Sequence, residues 1–210
     1  MLAIELSPST TALKHRHLGA IAVLALISVL SSLSGFHGHE SISNCWEGLL
    51  WGIADPVISL DRLASIVAIG LLSAGIARGA LIAASFVLAA VFGTAVHFFY
   101  MNLAGADIAI AISTVAIGVM LMSKQPNLIL LSLLGALAGL FHGYANAEFI
   151  VGAGILPLVV YVLGVTLTQC VLIMSAREIN QILPSKISLI SLAFAACGIV
   201  FLSNSIRAIM

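Results

Sequence analysis

The sequence predicts an all-α protein, a polytopic bundle of transmembrane helices, and three observations carry that prediction. Of its 210 residues, 61% are hydrophobic and only 8% charged, with a mean hydropathy of +1.21. A soluble domain carries about 25% charged residues, so this chain has too little polar surface to face water all round. The apolar residues also gather into seven runs, most of them close to the ~20 residues that a helix needs to cross a hydrocarbon core. Finally, the breaks between runs carry turn residues or charge.

The first run, near 18–35, follows "LKHRH" and ends in "SSLSG". It reads either as a secretory signal cleaved near Ser34 or as a retained first span. We therefore divide the chain into an N-terminal segment, 1–35, and a single membrane domain, 36–210. Cleavage would leave six spans, and retention would give seven. The later runs lie near 58–77, 80–100, 107–123, 127–144, 151–175 and 187–206. Their separators are "ARG" at 77–79, "NLAGAD" at 102–107, "SKQPN" at 123–127 and "AREINQILPSK" at 176–186. Pro126 and Pro184 stand where helices restart, a position that tolerates proline.

Lys and Arg favour the cytoplasmic side of a membrane. With the N-terminus inside, Lys14, Arg16, Arg78, Lys124, Arg177 and Lys186 all fall inside, six of the eight basic residues. Arg62 and Arg207 fall outside, and so does the C-terminus. The expected location is a bacterial inner membrane. Zero net charge provides no field for nucleic acid. Cys45, Cys170 and Cys197 have no CxxC or metal-site spacing, and no intrachain disulfide is expected.

Most of the other polar residues sort to the outer side. His37, His39, Glu40, Glu47, Asp55, Asp61, His97, Asp107, His142 and Glu148 all lie there, whereas His15, His17 and Glu178 lie inside. This resembles a vestibule that collects cations. Each member also has a structural reading. Asp55 before Pro56 suits a helix N-cap, and Asp107 suits another. His97 in "VHFFY" suits an aromatic interfacial belt. "HGH" at 37–39 is a short pair able to bind metal. Asp61 differs, because it falls inside an apolar pattern, where an ionisable residue is a functional hypothesis by default. His142 is flanked by glycines at 135, 139 and 143, a spacing that lets helices approach closely and points the imidazole into the bundle. A buried imidazole needs a partner, either a carboxylate or a metal.

Two segments carry a family resemblance. "GIADPVISLDRLASIVAIGLLSAG" is similar to the first signature of the HupE/UreJ family of membrane nickel permeases, and "LFHGYANAEF" to its second. "GADIAIAISTVAIGVML" resembles the middle segment, with Asp107 at its acidic position, and "FHGHE" resembles the histidine-bearing start of the mature chain. The resemblance implies a small permease for nickel or cobalt that feeds metalloenzymes, with a cleaved signal and about six spans. It implies a metal site of Asp61, His142 and Glu148, with Asp55, Asn146, Asp107, His37 and His39 at related positions. Three family histidines are replaced here, by Asp55, Arg62 and Asn146. Imidazole suits nickel, while carboxylate and amide oxygens favour harder ions. Asp55 and Arg62 are seven residues apart and would share the face of one helix, so a metal-binding pair here becomes an ion pair.

The expected function is facilitated uptake of a divalent transition-metal cation through the lipid bilayer, with no bound cofactor and no enzyme activity. The alternative is a non-transporting membrane subunit or assembly factor that keeps the permease fold. Either role admits a metalloenzyme maturation system or a membrane complex as partner. The sequence has no GxxxxGK[ST] phosphate loop, no HExxH and no GxSxG.

Overall fold

The computed structural model describes residues 8–34, 42–99, 105–123, 127–147, 150, 152–180 and 187–209. Every regular element among them is an α-helix. In order they are α1 (Pro8–Ser34), α2 (Cys45–Ile58), α3 (Leu60–Ala74), α4 (Ala80–Phe98), α5 (Ala106–Met120), α6 (Leu128–Ala147), α7 (Ile155–Asn180) and α8 (Ile187–Ile209). Five of them are long and apolar enough to cross a membrane: α1, α4, α6, α7 and α8. A sixth span is formed if α2 and α3 are taken as one helix bent by 78°. The 15 residues of α5 reach only about 22 Å, short of the ~30 Å core.

Seven of these helices fall on the seven apolar runs. The eighth, α2, was not expected, and its cause is local. The Asn44 side chain accepts a hydrogen bond from the Glu47 amide at 2.9 Å, and Glu47 Oε2 accepts from the Ser43 amide at 2.8 Å. This variant of the capping box starts the helix at Cys45. The N-cap reading of Asp55 is therefore corrected: Asp55 lies inside α2, with Pro56 also inside the helix. Proline removes the bond that would reach the carbonyl four residues back. The helix ends two residues later, and Ser59 turns extended, with φ −87° and ψ 116°, before α3 begins. Asp55 and Arg62 thus lie on two helices that meet at a sharp bend, and the expected shared face does not exist.

The centre of the bundle is α3, buried continuously from Arg62 to Ser73. It packs on α7, α5 and α4, with α1 and α8 further out. The closest pair is α4 and α6. A Cβ at Gly143 would lie 1.7 Å from the Ala90 carbonyl oxygen, and one at Gly139 would lie 2.0 Å from that of Phe86. The two backbones are therefore in contact, the kind of packing that joins helices in lipid, where no hydrophobic force acts between them. This seam turns the neighbouring His142 inward.

Leu18, Ile21, Leu24 and Ala25 of α1 pack against the core. The Ser28 hydroxyl of α1 donates to the Val57 carbonyl. The helix break at Ser59 leaves that carbonyl without its usual intrahelical partner, so α1 completes the bend. His17 Nδ1 lies 3.2 Å from Ser175 Oγ at the other end of the bundle. Arg177 Nη1 is 3.5 Å from Ser73 Oγ at that same end.

Candidate functional site

The bend between α2 and α3 meets α6 and α7 at one end of the bundle. Tyr161 of α7 is the joint. It is fully buried, and its hydroxyl donates to Asp55 Oδ2 at 2.5 Å. The same hydroxyl lies 3.1 Å from the Asn146 carbonyl oxygen, a weaker second acceptor for its single proton. One side chain thereby ties α2, α6 and α7 together. The approach is close because Gly52 faces Tyr161: a Cβ there would lie 2.4 Å from the Tyr161 carbonyl oxygen.

His142 lies one turn before Asn146 on α6 and has 0% exposure. Its Nδ1 is 2.8 Å from the Ala138 carbonyl oxygen. A carbonyl can only accept, so Nδ1 carries the proton, and in the neutral ring Nε2 presents its lone pair. Nε2 is buried and has no hydrogen-bond partner. The edge of the ring meets Phe86 of α4, with centroids 5.4 Å apart. Asn146 Oδ1, on the same face of α6, is also buried without a partner. A metal-binding histidine is commonly held in this way, with one nitrogen fixed by a carbonyl and the other left open.

The charges of Asp61 and Arg62, at the start of α3, both reach the His142 ring. Asp61 is half-buried in the first turn, where the helix dipole favours its negative charge. Arg62 is 7% exposed and so projects into the protein. Ser65, one turn on, bonds to Thr114 of α5 and fixes the depth of α3.

The residues expected to form the site divide into three groups. Asp55, Asp61, His142 and Asn146 are brought to one end of the bundle. Asp107 stands apart, exposed in the first turn of α5; the N-cap there is Gly105 at φ +80°, not Asp107. His37, His39, Glu40 and Glu148 lie outside the described residues. Among the described residues, no three His, Cys, Asp or Glu side chains gather closely enough to hold a metal ion. His97 packs edge-on against Tyr144, with centroids 4.6 Å apart, in the manner of the aromatic belt. The sequence reading missed Tyr161 altogether. A lone tyrosine in "PLVVYVLGV" has no motif signal, and its role appears only once α2 is known to be a helix.

The HupE / UreJ protein family matches residues 13–204, nearly the whole chain. The chain belongs to the HupE/UreJ family. No curated protein matches it, and no solved structure does. Members of the family are permeases rather than enzymes. Membership therefore supports an integral membrane protein with a role related to metal transport. The match begins at residue 13, so it includes the apolar length of α1.

Proposed function

We propose that this HupE/UreJ protein is a facilitator for uptake of a divalent transition-metal cation, nickel or cobalt. The observation that carries the reading is the open Nε2 of His142. It is an uncommitted imidazole lone pair, fully buried, beside an unpartnered amide oxygen and within reach of the Asp61 charge. Asp61 supplies negative charge, His142 a nitrogen ligand and Asn146 an oxygen ligand. Glu148, two residues beyond Asn146, is a further ligand in this reading, and His37 and His39 capture the ion outside. Asp55 is committed to Tyr161 and supports the site from behind. With basic residues inside, the site faces the outer side of a cytoplasmic membrane and the C-terminus is outside.

No energy-coupling module is needed. A divalent ion moving inward gains about 4.6 kcal/mol per 100 mV, from about 2.3 per unit charge. That potential sustains roughly a thousandfold accumulation. The test is uptake of radioactive nickel, cobalt and manganese by cells expressing the wild type or His142→Ala. The variant is expected to lose at least tenfold of nickel or cobalt uptake. Absence of uptake for every ion in the wild type would sink the proposal.

One observation favours a second reading, a non-transporting membrane subunit that keeps the fold. Arg62 is a buried fixed cation at the position of a family histidine, and it acts on His142. Under this reading the wild type takes up no metal and co-purifies with a partner complex.

A further inference from the structure

Gln169 lies near the middle of α7, about 12 Å along the helix from Tyr161 by its rise per residue. It is 1% exposed, and neither its amide oxygen nor its amide nitrogen has a hydrogen-bond partner. Nothing in the helix packing requires an amide there. An apolar residue of similar size would avoid the cost of desolvating a donor and an acceptor. A buried amide in this state calls for an explanation, and a bound water or ion is one.

The side chain borders a cleft between α4 and α7 that also involves Thr94, Thr166, Ala90 and Val165. Thr94 links this cleft to the site above. Its hydroxyl bonds to the carbonyl of Gly143, the residue after His142, at 3.0 Å. The wall of the cleft is thus the same α4–α6 seam that orients His142. At about 10 Å³, the cleft has room for roughly one water molecule. An ion with a full hydration shell does not fit. An ion passing this level sheds water, and the Gln169 oxygen is positioned to replace it.

A third unpartnered amide oxygen continues the series. Asn180 Oδ1 is buried without a partner and borders a cavity with Gly75, Met120 and Ser123 at the opposite end of the bundle. Asn180 is eleven residues after Gln169, about three turns, so the two share one stripe of α7. Among the described residues, every buried side-chain oxygen without a partner belongs to an amide, in Asn146, Gln169 or Asn180. They stand at the outer, middle and inner levels of the bundle. Between the last two levels, Ile173 and Ala176 close on Gly70 of α3, where a Cβ would lie 2.5 Å from that of Ala176.

We propose that Gln169 is a mid-membrane ligand for a partly dehydrated divalent cation, receiving it from His142 and Asn146. This inference rests on the uptake reading above. Neutral amide oxygens suit the role, because a conduction site must hold an ion weakly enough to release it.

The decisive experiment uses the full chain in membranes with Cys45, Cys170 and Cys197 replaced by alanine and a single thiol restored. Gln169→Cys is compared with native Cys170, which is exposed on the outside of α7. The probe is the silver ion, a thiol-reactive cation that fits the cleft once it sheds its water. Expected is labelling of Gln169→Cys at least tenfold faster than that of Cys170, and at least threefold slower in millimolar nickel. Labelling no faster than at Cys170, or unaffected by nickel, overturns the proposal. This readout needs no transport, so it decides the matter even if the wild type takes up no metal, a result that would count against the uptake reading alone. In a transporting wild type, Gln169→Leu is expected to lower uptake at least tenfold. Wild-type uptake by Gln169→Leu, with an unchanged elution profile in detergent, overturns the role.

Discussion

Tyr161→Phe isolates the joint that holds α2 in place. The substitution removes one oxygen and keeps the ring that packs with Ile42, Ile150 and Val165. The lost bond is 2.5 Å long and ends on a carboxylate that is 5% exposed. A hydrogen bond to a charged group contributes about 1.5–3 kcal/mol net. The expected loss is about 1.5–3 kcal/mol, or roughly 3–12 °C in melting temperature for a chain of this length. The two tryptophans, Trp46 and Trp51, both lie on α2, so intrinsic fluorescence reports this helix directly. The melt would be recorded in detergent for the wild type, Tyr161→Phe, Asp55→Asn and the double variant. A coupling energy above about 1 kcal/mol is expected between the two sites. A coupling near zero, or an unshifted melt for Tyr161→Phe, refutes the claim that this bond holds the broken span.

Three other perturbations have defined outcomes. Gly143→Ala forces a methyl onto the Ala90 carbonyl, 1.7 Å away on a rigid backbone, and should lower stability by about 1–3 kcal/mol or more; Gly19→Ala, inside α1 with open space around it, should leave the same melt unchanged or slightly raised. Arg62→Gln removes a fixed positive charge; a unit charge and a divalent ion at a separation of roughly 8 Å repel by about 4 kcal/mol at an effective dielectric near 20. Nickel binding by equilibrium dialysis should tighten at least tenfold, and unchanged affinity would mean that the guanidinium points away from the ion. Deleting residues 1–34 leaves the Val57 carbonyl without Ser28. The shortened chain should melt lower than the full one, and an equal melt would show that α1 adds nothing to the bundle.

Much of the fold was legible because apolar length is a strong signal. Membrane helices need long uncharged runs, and each of the seven runs carries a helix, though α1 begins about ten residues before its run, at Pro8. The inward turn of His142 was legible too, since small residues every fourth position define a contact face whatever the partner helix is. What failed was the start of the broken span. "DP" is a good helix start in isolation, and the reading stopped there. The capping signal that prevails is eleven residues earlier, in "SNCWE", where Asn44 and Glu47 satisfy backbone donors reciprocally. The helical half of the preceding segment is apolar in "GLLWGIA", but its 14 residues are too few to read as a span. Once α2 is a helix, Asp55 changes from a cap into a buried acceptor, and Tyr161 acquires a reason to be there. Gln169 was invisible for a different reason: a single amide in an apolar run has no pattern, and only the absence of any partner in three dimensions marks it.

Asp55, Arg62 and Asn146 stand where the family resemblance expects histidines, and under the proposed function that bears on how the site would work as well as on which ion it would take. A site of several imidazoles binds nickel tightly, and a tightly bound ion leaves slowly. Here one imidazole remains open, on the same helix face as the amide oxygen of Asn146, which is neutral and harder. Such a set loses affinity first. It need not lose throughput, because conduction demands binding that is favourable enough to admit the ion and weak enough to let it go. In the proposed facilitator the membrane potential supplies the accumulation, so the protein need not supply it through affinity. On this argument, the chain should differ from a histidine-rich relative mainly in half-saturating concentration. Restoring one imidazole by Asn146→His should lower that concentration for nickel while leaving the maximal uptake rate unchanged or reduced.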